Sequence, residues 1–248
     1  MLSFASTKNA VLTRVNSTPK FSFKHTDEEL YTIILRAKSL KLPQDELEDL
    51  LFISCREAKV IEADELIKQI DNWINVVKKE GLPYKFTGEE QFLKFKNELK
   101  QGLQNIGVSV SDVRIQGSSL RTPNANDVDL VAMVSQNDFE HYLKGSFIKL
   151  TNKKTGDIFN LTEMSNEELF TLATYVRNNP SYFNSKAMTF QNAFFTKKIS
   201  SKTTKPAIIP GLRNLRKALF ENYKNLNIED ISIMTPKGGL DLKPYINL

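Results

Sequence analysis

The sequence predicts an α+β fold, in which a small mixed β-sheet is flanked by helices and preceded by an N-terminal helical region. Apolar residues recur with helical spacing in the first third of the chain, most clearly between Glu62 and Lys79. Val113 and Ile115 alternate with polar neighbours, as in a half-buried strand. An apolar run at 130–134 follows a polar loop and indicates a second strand. Helices grouped apart from strands are typical of an α+β protein.

The N-terminal part divides into two stretches. Residues 1–23 are polar, rich in Ser, Thr, Asn and Lys, and predict a linker or a loosely attached arm. Residues 24–80 predict a helical region, opened by a capping box in which Thr26 and Glu29 each satisfy a helix-end amide. The stretch from Gly81 to Phe86 breaks the helical pattern. We therefore expect residues 1–80 to be a separable helical module or a cap, and residues 81–248 to form the main domain.

The last strands of the main domain are predicted at its C-terminal end. Residues 231–235 and 240–245 carry alternating apolar residues and are joined by a Pro- and Gly-containing turn, and this pattern predicts a β-hairpin. Asp241 lies between two leucines, so in a strand its side chain would point to the face opposite theirs.

Composition excludes several classes of protein. A chain of 248 residues with 40% hydrophobic and 25% charged residues is ordinary for a soluble globular protein, and it contains no apolar run long enough to cross a membrane. The start of the chain lacks the pattern of a signal peptide. One cysteine allows no intrachain disulfide, and two histidines leave little basis for a zinc site or a Ser-His-Asp triad. The glycine patterns of Walker A and dinucleotide-binding loops are absent.

Basic residues concentrate in the second part of the chain. Residues 1–80 carry 12 Lys and Arg against 13 Asp and Glu, a net charge of −1, so the stated total of +5 leaves +6 for residues 81–248. Residues 183–224 hold nine basic residues and one acid. Such a stretch suits a triphosphate or RNA, and it equally fits a solvated helix face with a polar loop. Lys197 and Lys198 are the candidates for contact with a triphosphate.

The stretch from Asp112 to Val134 carries the clearest chemical pattern. Gly117 follows the first strand and allows a ligand close to the main chain, where Ser118 and Ser119 offer hydroxyls and amides. Asp127 and Asp129 lie two residues apart at the start of the second strand, and thus share one face. Paired carboxylates repel each other unless a cation such as Mg²⁺ neutralises them. The alternative is a strand that begins with a solvated turn.

Gly117-Ser118, a short loop and Asp127-Val128-Asp129 resemble the signature of the polymerase-beta-like nucleotidyltransferase superfamily. The sequence of residues 114–129 is most similar to nucleotidyltransferase domains at the C-termini of bacterial polymorphic toxins of the contact-dependent-inhibition and Rhs type. The resemblance implies that the Gly-Ser turn binds nucleotide phosphates and that the paired acids bind Mg²⁺. It also implies a third acid, for which Asp241 is the candidate and Asp157 and Glu163 are weaker ones.

On this resemblance, residues 81–248 would be a nucleotidyltransferase domain with a two-metal Mg²⁺ site. The enzyme would transfer a nucleoside monophosphate from an NTP to an RNA acceptor, with tRNA as an attractive target, and release pyrophosphate. Gly117, Ser118 and Ser119 would hold the triphosphate, and Arg121 would neutralise developing charge. Nucleotidylation of a protein (AMPylation or UMPylation), an oligonucleotide synthase and a non-catalytic binding module are the alternatives. A toxin would act in the cytoplasm of a target bacterium, be part of a secreted parent protein, and have a cognate immunity protein.

Overall fold

Helices dominate this chain, and they are arranged in two compact units. The computed structural model describes residues 3–18, 20–202, 210–236 and 238–248. Unit 1 comprises residues 1–89, 116–126 and 242–246, and unit 2 comprises residues 90–115, 127–241 and 247–248. This division differs from the predicted boundary at residues 80 and 81, because two later segments belong to the same unit as the N-terminal helices. The architecture is α+β, as the sequence predicts.

Unit 1 is helical, and its helices bury the apolar stripes that the sequence shows. Leu30, Ile33 and Ile34 are buried on the second helix, which begins with the predicted capping box of Thr26 and Glu29. The segment after the fourth helix continues as a π-helix, Trp73–Val77. The helices are α1 (Phe4–Ser17), α2 (Asp27–Ser39), α3 (Gln44–Ser54), α4 (Ala63–Asn72) and α5 (Lys78–Glu80).

The expectation of a loosely attached arm is wrong for residues 4–17, which form helix α1. Ser3 caps it, because its Oγ accepts a hydrogen bond from the Ser6 amide at 3.2 Å. Val11 and Val15 lie four residues apart on one face and are buried. These two valines form a short apolar stripe. The prediction of an arm followed the polar composition of the stretch and missed this stripe.

Unit 2 contains five further helices and most of a five-stranded sheet with the order β5-β6-β2-β1-β7. Strand β2 is parallel to β6, with Leu130 beside Ile231, and β5 is antiparallel to β6. The Ser111 amide donates to the Met133 carbonyl at 2.8 Å, so β1 begins beside the end of β2 and runs in the opposite direction. The helices are α6 (Glu89–Asn105), α7 (Gln136–Phe147), α8 (Asn166–Asn178), α9 (Ser185–Thr196) and α10 (Pro210–Asn222). The strands of the sheet are β1 (Asp112–Gln116), β2 (Asp129–Met133), β5 (Lys198–Ser200), β6 (Ile231–Met234) and β7 (Ile246–Asn247).

A separate two-stranded ribbon lies between α7 and α8. It pairs β3 (Lys149–Thr151) with β4 (Ile158–Asn160) in antiparallel register. Among the described residues, no helix is long and apolar enough to cross a bilayer.

The predicted C-terminal β-hairpin is wrong. Strand β6 is hydrogen-bonded to β2 on one edge and to β5 on the other, so it has no edge left for residues 240–245. Leu240 instead packs against Val131, Met133 and Met234. In unit 1, the Lys243 amide donates to Asp49 Oδ2 at 2.8 Å, which ties the segment 242–246 to helix α3. The predicted turn residue Lys237 lies outside the described residues.

Candidate functional site

Asp129 is the first residue of β2, and Asp127 lies two residues before it in unit 2. Both are half-buried, whereas Val128 and Leu130 are 0% and 1% exposed. This alternation confirms that Val128 and Leu130 enter the core, and it is the pattern expected where the two carboxylates share a face. The Val128 amide donates to the Leu226 carbonyl at 3.1 Å, which fixes the backbone between the two acids. The paired carboxylates are therefore held in place by a buried strand.

A third acid, Asp230, lies at the same end of the sheet, and sequence reasoning missed it. Leu130 pairs with Ile231 in the parallel register, so Asp129 and Asp230 stand at the same level one residue earlier. Residues at one level of neighbouring parallel strands point to the same face, and the strands are about 4.8 Å apart. In the sequence, Asp230 is only an acid directly before a strand. The pairing of β2 with β6 is what places it at the level of Asp129.

Hydrogen bonds hold the Asp230 carboxylate in one orientation. Its Oδ1 accepts from the Ser201 amide at 2.9 Å and from Ser201 Oγ at 2.6 Å. Its Oδ2 accepts from Ser232 Oγ at 2.7 Å. Such contacts fix the orientation of the carboxylate and leave lone pairs for a further ligand. Asp230 is therefore a carboxylate of fixed orientation at the level of Asp129.

Asp241, the predicted third acid, lies in the irregular segment after β6. Its Oδ1 accepts from Arg114 Nη1 at 2.6 Å, and Arg114 Nε also donates to Asp112 Oδ2 at 2.8 Å. Both side chains of the Arg114–Asp241 pair are largely buried, with 12% and 13% exposed. The guanidinium thus already neutralises this carboxylate. Of the weaker candidates, Asp157 lies in the β3–β4 turn and Glu163 in a short 3₁₀ helix after β4.

The Gly-Ser turn belongs to unit 1 and has the backbone conformation that glycine allows. Gly117 has φ 91° and ψ −162°, a region that residues with a Cβ rarely adopt. Ser118–Leu120 form a 3₁₀ turn, and the Thr122 amide donates to the Ser118 carbonyl at 2.9 Å. The chain therefore turns sharply after β1, as the sequence predicts.

Two residues of unit 1 that precede β1 hold this turn, and no pattern in the sequence predicts these contacts. The Asn72 side-chain amide donates to the Arg121 carbonyl at 2.9 Å, and the Tyr84 amide donates to the Ser119 carbonyl at 2.9 Å. Asn72 ends α4 directly before the π-helix, a feature often found at functional sites. Residues 72 and 84 thus fix both halves of the turn.

The polar side chains of the turn differ in exposure. Ser118 is half-buried, whereas Ser119 is fully buried and Arg121 is 5% exposed. Within the described residues, Ser119 Oγ and the neighbouring Gln116 Nε2 are buried without a hydrogen-bond partner. An unsatisfied buried polar atom costs about 1–3 kcal/mol. The described residues hold others outside the turn, such as Thr174 Oγ1, so Ser119 Oγ and Gln116 Nε2 do not by themselves mark a ligand site. Of the two serines in the turn, Ser118 is the more exposed.

Lys197 and Lys198 lie at the other end of β6 from the acids. Lys198 pairs with Met234, four residues along β6 from Asp230, which is about 13 Å at the usual rise of a strand. The Lys197 ammonium lies 4.4 Å from the centroid of the Phe194 ring. Burial lowers the pKa of Lys197, and Glu140 partly opposes this effect. The structure does not bring these two lysines to the end of the sheet where the acids lie.

Two other cations lie at the level of Asp230. Arg216 Nη1 donates to the Glu229 carbonyl at 3.2 Å, and Lys202 forms an ion pair with the Glu229 side chain. Both belong to the basic stretch that the sequence shows, but periodicity alone could not rank them above Lys197. Thr203, Thr204 and Lys205 of that stretch lie outside the described residues.

The chemistry of the donors fits Mg²⁺, which prefers one or two carboxylates together with water and phosphate oxygens. Asp127 and Asp129 supply such oxygens, and Asp230 adds a third carboxylate at the level of Asp129. In the described part of the chain, no group of three or more His, Cys, Asp or Glu side chains stands in a metal-binding arrangement.

A buried histidine and serine in unit 1 form a contact that resembles part of a hydrolase triad. His25 Nε2 lies 2.7 Å from Ser54 Oγ. Ser54 Oγ donates its proton to the Leu51 carbonyl at 2.7 Å, so the histidine is the donor in this contact. Ser54 is therefore not activated as a nucleophile.

Comparison of the chain with protein-family models, with curated proteins and with solved structures finds no match.

Proposed function

We propose that this protein is a Mg²⁺-dependent nucleotidyltransferase that moves a nucleoside monophosphate from an NTP to a hydroxyl of an RNA acceptor. The observation that carries the proposal is the placement of three acids at one end of the sheet, although their side chains do not converge on one point in the described residues. Asp127 and Asp129 lie at the start of β2, and Asp230 directly precedes β6 at the level of Asp129. We further propose that the fold is of the nucleotidyltransferase type, with β6, β2 and β1 as its central strands.

Each part of the chain has a defined task in this proposal. Asp127 and Asp129, with Asp230 as the third acid, would hold Mg²⁺, which would supply neutralisation of phosphate charge and activation of the attacking hydroxyl. The Gly117 turn, with the Ser118 hydroxyl and its amides, holds the triphosphate. Arg121 and Ser119 are buried and act by shaping the turn.

The reaction is a displacement at the α-phosphorus. The acceptor oxygen forms a new bond to phosphorus, the bond to the bridging oxygen of the β-phosphate breaks, and pyrophosphate leaves. The hydroxyl proton passes to a base or to water. The chain's contribution is positioning and charge stabilisation.

The acceptor is assigned to RNA because of the charge of the chain outside residues 1–80, which is +6. Cationic surfaces supply most of the affinity for nucleic acid. On the resemblance to polymorphic toxins we further propose tRNA as the target, action in the cytoplasm of a target bacterium, and a cognate immunity protein.

The proposal is tested by transfer of label from each of the four α-³²P-labelled NTPs in the presence of Mg²⁺. Total RNA and a protein lysate are offered as acceptors in separate reactions. We expect label on RNA from one NTP in preference to the others. Label on a protein band instead would make the enzyme a protein nucleotidyltransferase, and binding of NTP without transfer to either acceptor would favour a non-catalytic module.

A further inference from the structure

Four lysines lie around the turn that joins β3 to β4 in unit 2. Lys149, Lys153, Lys154 and Lys186 are all exposed. Within residues 3–18, 20–202, 210–236 and 238–248, none of them forms an ion pair with a carboxylate. The one acid of the turn, Asp157, accepts a hydrogen bond from Thr155 Oγ1 at 2.5 Å. These four lysines together with Tyr182 are named the β3–β4 surface.

Direct contacts gather the members of this surface. Lys154 Nζ donates to the Tyr182 hydroxyl at 2.9 Å and lies 4.4 Å from the centroid of its ring. Lys186 Nζ donates to the Lys149 carbonyl at 3.0 Å. Burial lowers the pKa of the Lys186 ammonium, and no carboxylate opposes this effect. Lys154 is thus held at Tyr182 and Lys186 at the start of β3, and within the described residues neither lysine has an ion-pair partner.

The turn that presents Lys153 and Lys154 is held by buried hydrogen bonds. Asn152 is 1% exposed, and its Oδ1 accepts from the Lys154 amide at 2.9 Å. Its Nδ2 donates to the Tyr175 hydroxyl at 3.1 Å. The Lys153 amide donates to the Tyr182 carbonyl at 2.7 Å. The backbone of the turn is therefore fixed, and the lysine side chains extend from a preformed support.

We propose that the β3–β4 surface binds the RNA acceptor, with the lysines on phosphates and the Tyr182 ring against a base. This inference rests on the proposed transfer to RNA and names the surface that holds the acceptor. Lysines without an ion-pair partner on a fixed backbone suit phosphates, because each ammonium acts as a compact point charge. An aromatic ring beside them is the usual stacking partner of an unpaired base.

The chemistry of the surface also predicts how selective it is. Lysine–phosphate contacts and stacking on tyrosine carry little information about base identity. The surface therefore contributes affinity that tolerates different sequences and depends strongly on salt.

The test is equilibrium binding of fluorescently labelled bulk tRNA to the full chain, in EDTA and without NTP, over a series of salt concentrations. Replacing both Lys153 and Lys154 by alanine is expected to weaken binding about tenfold near physiological salt. The slope of log affinity against log salt is expected to fall by roughly 1.4 to 1.8, because two phosphate contacts are lost. Both lysines are exposed, so circular dichroism should show an unchanged fold.

A matched double variant, Lys94→Ala/Lys100→Ala, removes the same charge from the exposed face of α6. It is expected to change affinity less than threefold, roughly, because it removes only long-range attraction. Tyr182→Leu is expected to weaken binding about fivefold or more with little change of salt slope, whereas Tyr182→Phe keeps the ring and the affinity.

Equal losses in the two double-lysine variants would overturn the proposal, because binding would then follow net charge alone. Unchanged affinity in Lys153→Ala/Lys154→Ala would overturn it too, as would wild-type chain that does not bind tRNA. Because this assay needs neither metal nor NTP, it is independent of catalysis. Transfer without tRNA binding at this surface refutes the surface alone, and binding without transfer refutes the proposed function alone.

Discussion

At the scale of single residues, the two candidates for the third carboxylate differ in their surroundings. Asp230 stands beside Asp129 and accepts hydrogen bonds from neutral groups, whereas Asp241 is paired with Arg114. We therefore expect Asp230→Asn to lower transfer by about a hundredfold or more, because a metal ligand is lost. Asp241→Asn should lower it less than tenfold, roughly. The ratio kcat/KM for the preferred NTP is the measurement.

Each of these two variants needs a check on its fold, because Asp230 also holds Ser201 and Asp241 also holds Arg114. Melting temperatures within a few degrees of the wild type, roughly, would separate chemistry from stability. A large loss of transfer activity in Asp241→Asn, with full activity in Asp230→Asn, would mean that Asp241 and not Asp230 is the third carboxylate of the site.

His25 predicts a pH dependence of stability. Burial lowers its pKa in the folded chain below the ordinary value of 6.5, while Glu29 and Glu62 partly oppose the shift. The unfolded chain therefore binds more protons as the pH falls through 6.5, and the free energy of unfolding falls with it. His25→Gln should flatten urea-unfolding free energies between about pH 7.5 and about pH 5.5. His141→Gln, at an exposed histidine, is the control and should leave that slope unchanged.

At the scale of elements, helix α4 holds the Gly-Ser turn through its last residue, Asn72. Removing the 2.9 Å hydrogen bond from Asn72 to the Arg121 carbonyl should loosen the turn. We expect Asn72→Ala to raise KM for NTP by about tenfold, with a smaller effect on kcat and none on tRNA binding. Asn97→Ala, at an exposed position on α6, is the matched control. An unchanged KM in Asn72→Ala would remove the positioning role.

Variants of helix α1 test how much the polar N-terminal stretch contributes to the free energy of unfolding. Val11 is fully buried, so Val11→Ala should lower the free energy of unfolding by about 1–3 kcal/mol. Asn16→Ala on the exposed face of the same helix should have little effect. Equal stability of the two variants, measured by urea unfolding, would mean that α1 is not docked.

Elements with a strong local pattern were predictable from the sequence, and those set by distant contacts were not. The Thr26 capping box, the turn at Gly117 and the alternation around Val128 follow from nearest neighbours, and the structure confirms them. The hairpin prediction at 240–245 failed because the pairing of β6 with β2 and β5 joins segments about 100 and 30 residues apart. The same long-range pairing explains why Asp230 was missed.

At the scale of the whole molecule, the residues of interest belong to two compact units. The Gly-Ser turn belongs to the helical unit 1, and the acids and the β3–β4 surface belong to unit 2. The sequence predicts residues 1–80 as a separable module or a cap, yet within unit 1 residues 72 and 84 hydrogen-bond to the turn. We therefore expect the N-terminal helices to be needed for NTP binding.

The central claim is that Asp127 and Asp129 support transfer of a nucleoside monophosphate to RNA. The most direct measurement follows ³²P from the preferred NTP onto RNA, with wild type, Asp127→Ala/Asp129→Ala and the control Asp64→Asn in parallel. We predict labelled RNA with the wild type and the control, and none above background with the double variant, although its circular dichroism is unchanged. Equal labelling by the double variant and the wild type would contradict the claim.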